Sequence, residues 1–372
     1  MTVATRDSLA TCPGWEGAFA HERKDWRFYE IVHDTLGQEE FDFRYLVLEG
    51  DGERAVQPFF VLDQDVTAGA GKVLQSMVGR VRRVWPRFLK MRTLMVGCAA
   101  GEGHLAAPWA GESLARALPR LAREAKAGLM VMKEFPSRYR EALAMLPRHG
   151  FTRVPSLPMT RLSIDYASFD DYIAEKLSKV ARKSLRRKLR AADAAEPAIL
   201  LQVVEDVTPF VDEVYPLYLA VYERSSLHFE KLSKELLRTL GRRMPDKVRF
   251  FIWRQAGKAI AFSLCMVNGD TLYDEYLGLD YGVALDLHLY FHTLRDLLSW
   301  GMAHGLKWYV SSALNYDPKL HLRCELVPLD LYVRHTSPFI NFFMKRILPW
   351  LEPTRSDPVL KRFPNFAEVW GK

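Results

Sequence analysis

VRFFIWRQAGKAIAFSLCMVNGDTLYDEYLGLDY, residues 248–281, reads as three strands joined by two tight turns. Apolar, β-branched and aromatic residues fill 248–255, 258–268 and 271–281, and the joints Ala256-Gly257 and Gly269-Asp270 suit the left-handed backbone of a hairpin turn. An antiparallel meander follows from this pattern. A long helix near 209–224 precedes it; a helix from about 286 to 304, a strand at 306–312, a short helix around 318–324 and a strand at 326–334 come after.

The same order of elements occurs upstream. Strands at 43–50 and 54–66 lead to a strand at 93–98, a Gly-bearing loop AAGEGH, a helix near 111–127, a strand at 129–135, a helix from Ser137 to His149 and two short strands through Ile164. Two copies of meander, helix, strand, helix and strand imply an internal structural duplication in the α/β (α+β) class, each unit a mixed, mostly antiparallel sheet flanked by helices. At 372 residues the chain is long enough for two cores, and an apolar content of 49% fills both. The division predicted is 1–160, 161–336 and an amphipathic extension at 337–372.

Cys12, Cys98, Cys265 and Cys324 stand far apart, without the paired spacing of a disulfide framework or a structural zinc site. The N-terminal residues carry no apolar signal-like core and no uncharged apolar run of membrane-spanning length occurs, so a cytoplasmic protein is expected. The formal net charge of +7 favours anionic partners.

Much of that charge is concentrated between the two units. YIAEKLSKVARKSLRRKLRAA (172–192) carries eight Lys and Arg residues within fifteen positions. Leu177, Val180, Ala181, Ser184, Leu185, Lys188 and Leu189 recur at helical spacing, which leaves Lys183, Arg186 and Arg187 among the cations on the other faces. A phosphate-rich ligand, an RNA backbone or an anionic membrane would each suit such a helix; so would plain solvation. Two further basic stretches carry Trp. Residues 72–92 mix Val78, Val81, Val84, Trp85, Phe88 and Leu89 with Arg80, Arg82, Arg83, Arg87, Lys90 and Arg92, and 337–353 sets Phe339, Ile340, Phe342, Phe343, Ile347, Leu348 and Trp350 around Lys345 and Arg346. Each either lies in a bilayer interface or packs on its own domain.

GFTRVPSLPMTRLSIDY followed by the basic helix, the meander through DEYLGLDY, and ALNYDPKLHLRCELVP together resemble the tandem acyltransferases of GNAT fold, the FemAB-like group. The last segment is similar to the family's Tyr-x-x-Lys signature, with Lys319 and Arg323 at its basic positions. The Gln/Arg-x-x-Gly-x-Gly/Ala pyrophosphate loop of acetyl-CoA enzymes is replaced by DYGVALDLH. The resemblance implies two GNAT-like domains and N-acyl transfer from a thioester, acyl-CoA most simply, to a primary amine. With a membrane surface, the amine would be lipidic, as in the bacterial ceramide synthases. The enzyme would then sit on the inner face of the membrane. An aminoacyl-tRNA donor with a cell-wall acceptor, and a non-catalytic lipid- or RNA-binding module, are the alternatives.

N-acyl transfer needs a base for the amine and a donor for the tetrahedral oxyanion. Glu275, with Tyr276 beside it, is the candidate base; Asp274, pointing to the opposite face of its strand, is expected on the solvent side. His288 and His292, four apart after an N-cap at Asp286, are candidates for acid–base work or for orienting the acceptor, and no metal-ligand pattern accompanies them. Ser312, Tyr316, Lys319 and Arg323 would hold the donor's phosphate or a carboxylate, Lys319 and Arg323 from one helix face, aided by Arg186 and Arg187. Gly97, Gly101 and Gly103 could let backbone approach a pyrophosphate.

Overall fold

The computed structural model describes residues 2–37, 40–50, 52–65, 72–85, 90–225, 228–355 and 357–371, with side chains from 76 onward in the second basic stretch. Arg87, Phe88 and Leu89 lie outside the described residues. The first half runs β1 (Thr2–Ala4), α1 (Trp26–Thr35), β2 (Asp42–Gly50), β3 (Glu53–Asp65), α2 (Lys72–Arg82), β4 (Lys90–Val96), α3 (Ala110–Glu124), β5 (Leu129–Pro136) and β6 (Thr152–Pro155). The second runs β7 (Met159–Ser163), α4 (Phe169–Lys176), α5 (Lys179–Asp193), β8 (Leu200–Val204), α6 (Val211–Tyr222), α7 (Lys234–Arg243), β9 (Val248–Gln255), β10 (Lys258–Asn268) and β11 (Thr271–Leu279). It continues through α8 (Leu289–Ala303), β12 (Trp308–Ser311), α9 (Tyr316–His321), β13 (Glu325–Val327), β14 (Leu329–His335), α10 (Pro338–Leu351) and α11 (Phe366–Trp370).

Two seven-stranded sheets result, ordered β1-β2-β3-β4-β5-β14-β6 and β13-β7-β12-β11-β10-β9-β8. The expected meander is β9-β10-β11, and its first turn places Ala256 and Gly257 at φ +49° and +79°, as a type I′ hairpin requires. Among the described residues each sheet holds a single parallel pair, β4 with β5 and β11 with β12. That pairing spans only Thr93–Val96 against Leu129–Met132, and Thr271–Asp274 against Trp308–Ser311. Since β5 continues to Pro136 and β11 to Leu279, each sheet opens into a splay beyond its parallel pair.

The strand expected over 326–334 is two strands in different sheets. β13 pairs with β7, and after Pro328 the chain crosses so that β14 inserts between β5 and β6 of the first sheet. The helix expected over Ser137–His149 is absent: two 3₁₀ turns stand at Ser137–Tyr139 and Leu146–His149, where Pro147 lacks an N–H and the Ser137 N–H is committed to the Pro328 carbonyl. The basic helix is broken too. Leu177 is extended and Ser178 starts a new helix, its hydroxyl accepting from the Ala181 N–H at 3.3 Å. Val180 therefore faces solvent at 80% exposure, while Leu185, Leu189 and Ala192 carry the packing. β8 and α7 are additions that the sequence reading did not include.

Three cores hold these layers. One lies between α3 and the outer face of the first sheet. The largest is shared by the halves, joining Phe28, Tyr45 and Phe60 to Leu237, Phe250 and Phe262. A third packs α4, α5 and α8 on the far face of the second sheet. The shared core brings the two splayed ends together.

Candidate functional site

The splay in the second sheet begins at a bulge. β10 pairs Leu264 with Tyr276 and Cys265 with Asp274, so Glu275 has no partner of its own and strict alternation fails there. Within Tyr273–Tyr276, Asp274 alone turns to the far face, where its carboxylate accepts from Ser263 Oγ at 2.5 Å and Tyr309 Oη at 2.7 Å. It sits half-buried on a central strand, contrary to the solvent-side expectation. Burial raises its pKa, against the hydrogen bonds from Ser263 and Tyr309 and the charge of Lys319.

Lys319 reaches the same region from α9. Only 5% exposed, it donates to the Ser312 carbonyl at 2.6 Å and the Leu314 carbonyl at 2.9 Å. Burial lowers its pKa to about 8, so both protonation states are populated near neutral pH. The loop that supplies those carbonyls is strained: Leu314 and Asn315 both have positive φ, +75° and +50°. Tyr316 anchors it by donating to the Pro158 carbonyl at 2.8 Å. Arg323 does not share a face with Lys319. α9 has ended by then, and Arg323 is exposed at φ +63°.

On the near face Glu275 enters a buried cluster with residues of the first half. Arg23 stacks over Tyr273 and bonds both Glu275 and Glu102. Lys24, fully buried, lies 3.0 Å from Glu102 Oε2, 3.3 Å from Glu275 Oε2 and 3.0 Å from the Ala100 carbonyl. Two cations and two carboxylates balance. Burial pushes the Glu275 carboxyl up, but Arg23 and Lys24 outweigh it and the net direction is down. Glu275 is thus a resting anion, poorly suited to accept a proton as the base expected there. Tyr276 donates to Glu230 Oε1 at 2.6 Å, and burial raises the pKa of both.

The Gly-bearing loop fills the splay of the first sheet with its own backbone. Gly103 N–H bonds the Glu134 carbonyl at 3.1 Å, and Lys133 Nζ bonds the Gly101 carbonyl at 2.8 Å. A Cβ at Gly101 would stand 2.0 Å from Lys24 Nζ, and one at Gly103 2.6 Å from the Lys133 carbonyl. These glycines serve close approach within the chain. Glu134, at φ +55°, takes bonds from Lys133 at 2.6 Å and Ser156 at 3.1 Å beside the same opening.

The two histidines are not brought together at the opening. His288, not Asp286, is the N-cap of α8 and is exposed. His292 is buried between Arg295, 2.9 Å from Nδ1, and Asp296, 3.3 Å from Nε2, with its pKa lowered by burial. On α5, Arg186 pairs with Asp170 at 3.0 Å, whereas Lys179, Lys183, Arg187 and Arg190 have no ion-pair partner among the described residues. Lys188 covers the Phe291 ring at 3.8 Å, which sets α5 beside the start of α8. Among the described residues no group of three or more His, Cys, Asp and Glu side chains could hold a metal ion.

Arg23, Lys24 and Glu102 were missed by the sequence reading. Their only local trace is the charge run HERKD before α1 and the acid inside a glycine loop.

Two open sheets joined through a common core, each splayed beside a parallel pair, define the tandem GNAT-like acyltransferase class. The structure of FemX has this fold, with a TM-score of 0.52 at 10% identity over 89% of this chain and 97% of that one. L-PGS from Bacillus licheniformis (TM-score 0.48, 13% identity, 93% and 95% covered) and a tandem GNAT protein from the clavulanic acid biosynthesis pathway (0.47, 12%, 91% and 98%) are also similar. The FemAB-like family model, described as peptidoglycan biosynthesis/recognition, matches residues 110–313, and the chain belongs to that family. No curated protein sequence matches it.

Proposed function

We propose that the protein forms amides, moving an acyl group from a phosphate-bearing activated donor, acyl-CoA in the first instance, to a primary amine at the opening between β11 and β12. The observation that carries this reading is Lys319: a buried amine with a pKa of about 8, beside the protonatable Asp274–Tyr309 pair, where the parallel strands separate. Neutral Lys319 takes one proton from the acceptor's ammonium. The freed nitrogen attacks the thioester carbon, and the oxyanion is stabilised by backbone N–H groups at the splayed strand ends. Collapse breaks the C–S bond, and the second amine proton goes to the thiolate; Lys319 returns its proton to solvent. The products are an amide and free thiol. The unpaired cations of α5, beside the start of α8, take the donor's phosphates in place of the missing glycine loop. The acceptor we favour is a lipidic amine of the sphingoid-base type, as in ceramide synthesis, on the strength of the apolar surfaces of α2 and α10.

The family match and the unpaired α5 cations favour one second reading, transfer from aminoacyl-tRNA to a cell-wall precursor. Purified protein is incubated with labelled palmitoyl-CoA and sphingoid bases or simple amines, with and without charged tRNA. Amide product without RNA supports the first reading. Strict dependence on charged tRNA sinks it in favour of the second, and no product in any arm sinks both.

A further inference from the structure

We propose that α10, with α2 beside it, docks the protein on an anionic lipid bilayer. The described helices include none long and apolar enough to cross a membrane, so the contact would be interfacial. Among the described residues α10 is held on one side only. Met344 and Leu348 pack on the core, and Asn341 ties the helix down by accepting from the His335 N–H and donating to the Gly150 carbonyl, both at 2.9 Å. On the other side Phe339, Phe342, Phe343, Ile347 and Trp350 are 74%, 54%, 47%, 50% and 79% exposed. Leaving such a stripe exposed to water is unfavourable for a monomer, and its aromatic character suits the headgroup region.

α2 adds a second patch at the same end of the first sheet. It leads into β4, while α10 leaves the end of β14, and only β5 separates those two strands, a span of about 10 Å. Gly128 at the start of β5 lies against both Met91 and His335, so the roots of the helices are neighbours. Met77, Val84 and Trp85 of this patch are 59%, 90% and 61% exposed. Charge selects the occupant. Residues 72–92 and 337–351 contain no Asp or Glu, and although Arg82 and Arg92 pair with Asp65, Asp42 and Asp63, the exposed Arg80 and Arg83 with Lys345 and Arg346 complement anionic headgroups. A second copy seated symmetrically on α10 would set Lys345 and Arg346 against their own counterparts.

The stripe also leads toward the candidate site. α10 is about 21 Å long. Beyond its far end Arg355 lies between Trp350, at 6.0 Å, and Trp370, at 4.2 Å, and the Trp370 carbonyl accepts from Arg153 of β6. β6 ends at Pro155, next to Ser156, whose hydroxyl bonds Glu134 beside the splay of the first sheet, within electrostatic reach of Tyr316 in the segment that holds Lys319. A lipid-borne amine would therefore meet the protein along a path to the site; this link, unlike the docking itself, rests on the reading proposed above.

The full chain is floated with vesicles of phosphatidylcholine alone and of phosphatidylcholine with phosphatidylglycerol. Flotation with the anionic vesicles only is expected, with Lys345→Ser weakening it about fivefold and Phe343→Asp with Ile347→Asp abolishing it. Amide formation with a water-soluble amine is followed in parallel, without vesicles. Lost flotation with unchanged activity and melting temperature supports docking; flotation without any amide product supports docking and refutes the reaction. A wild-type chain that stays unbound with anionic vesicles overturns the proposal. So does a double variant that floats as well as wild type, and so does a dimer that the double substitution dissociates without any vesicle binding.

Discussion

Lys319 and Glu275, on opposite faces of the second sheet, show that burial alone does not decide whether an ionisable group keeps its charge. Lys319 is desolvated with only carbonyls as hydrogen-bond partners, so its pKa falls to about 8. Glu275 is equally buried, but two cations face it and its pKa goes down rather than up. If Lys319 is the base, kcat/KM should rise with pH through about 8, because deprotonation there creates the active amine. Lys319→Met should remove that rising limb and lower the rate by roughly 10²- to 10⁴-fold, read by steady-state kinetics across pH. The Glu275 cluster predicts a stability effect instead. Lys24→Met would leave two buried carboxylates with Arg23 as the only Arg or Lys cation between them and should cost about 3–5 kcal/mol, measured by denaturant unfolding. Gly101→Ala acts on the same cluster through space: φ is +93° and the new methyl would collide with Lys24 Nζ. A loss of about 1–3 kcal/mol is expected from the backbone conformation alone.

At the scale of elements, the meander and the alternation of helices and strands were legible because their signals are local: periodicity, turn residues and caps. The break in the basic helix was legible as well, since Ser178 three residues before Ala181 is an N-cap placed inside an apparently continuous helical pattern. It was overlooked because the charge run continues across it. The bulge at Glu275 was not readable from sequence; it depends on the register of β10 against β11, and it put Asp274 rather than Glu275 with Tyr309. Lys319 lay within a recognised motif, whereas Lys24 and Glu102 meet Glu275 only through the packing of one half on the other. α5 yields its own prediction. Lys183→Glu with Arg187→Glu reverses two solvent-facing charges without touching Leu185 or Leu189, so thermal unfolding should be nearly unchanged. The KM for a phosphate-bearing donor should rise about tenfold or more at low salt, and the difference from wild type should shrink as salt is added. An unchanged KM in donor-titration kinetics would remove α5 from the donor site.

The whole molecule is two repeats that cannot be separated at the point where the sequence changes from one to the other. β14 comes from the end of the second half, yet it sits between β5 and β6, antiparallel to both. Without it β6 loses its strand partner and the first sheet gains an unpaired hydrogen-bonding edge at β5. The chain terminus tightens the same junction: Arg140 and Arg153 donate to the carbonyls of Val369 and Trp370, and Arg140 also bonds Asp330 of β14. Across the rest of the interface Arg27 bridges to Asp246 at 2.8 Å and Lys247 to Asp25 at 2.9 Å, around the common apolar core. A fragment of residues 1–158 should therefore lack a cooperative unfolding transition, even though it contains nearly all of one repeat. Co-expressed with 159–372 it should co-purify as a stable complex, because every strand of both sheets is then present and only one loop is cut, between β6 and β7. Calorimetry on the isolated fragment and on the reconstituted pair checks this. A sharp transition for 1–158 alone would mean that the first sheet closes without β14, and that the crossover contributes nothing essential to the splay in which Glu134 and the glycine loop are held.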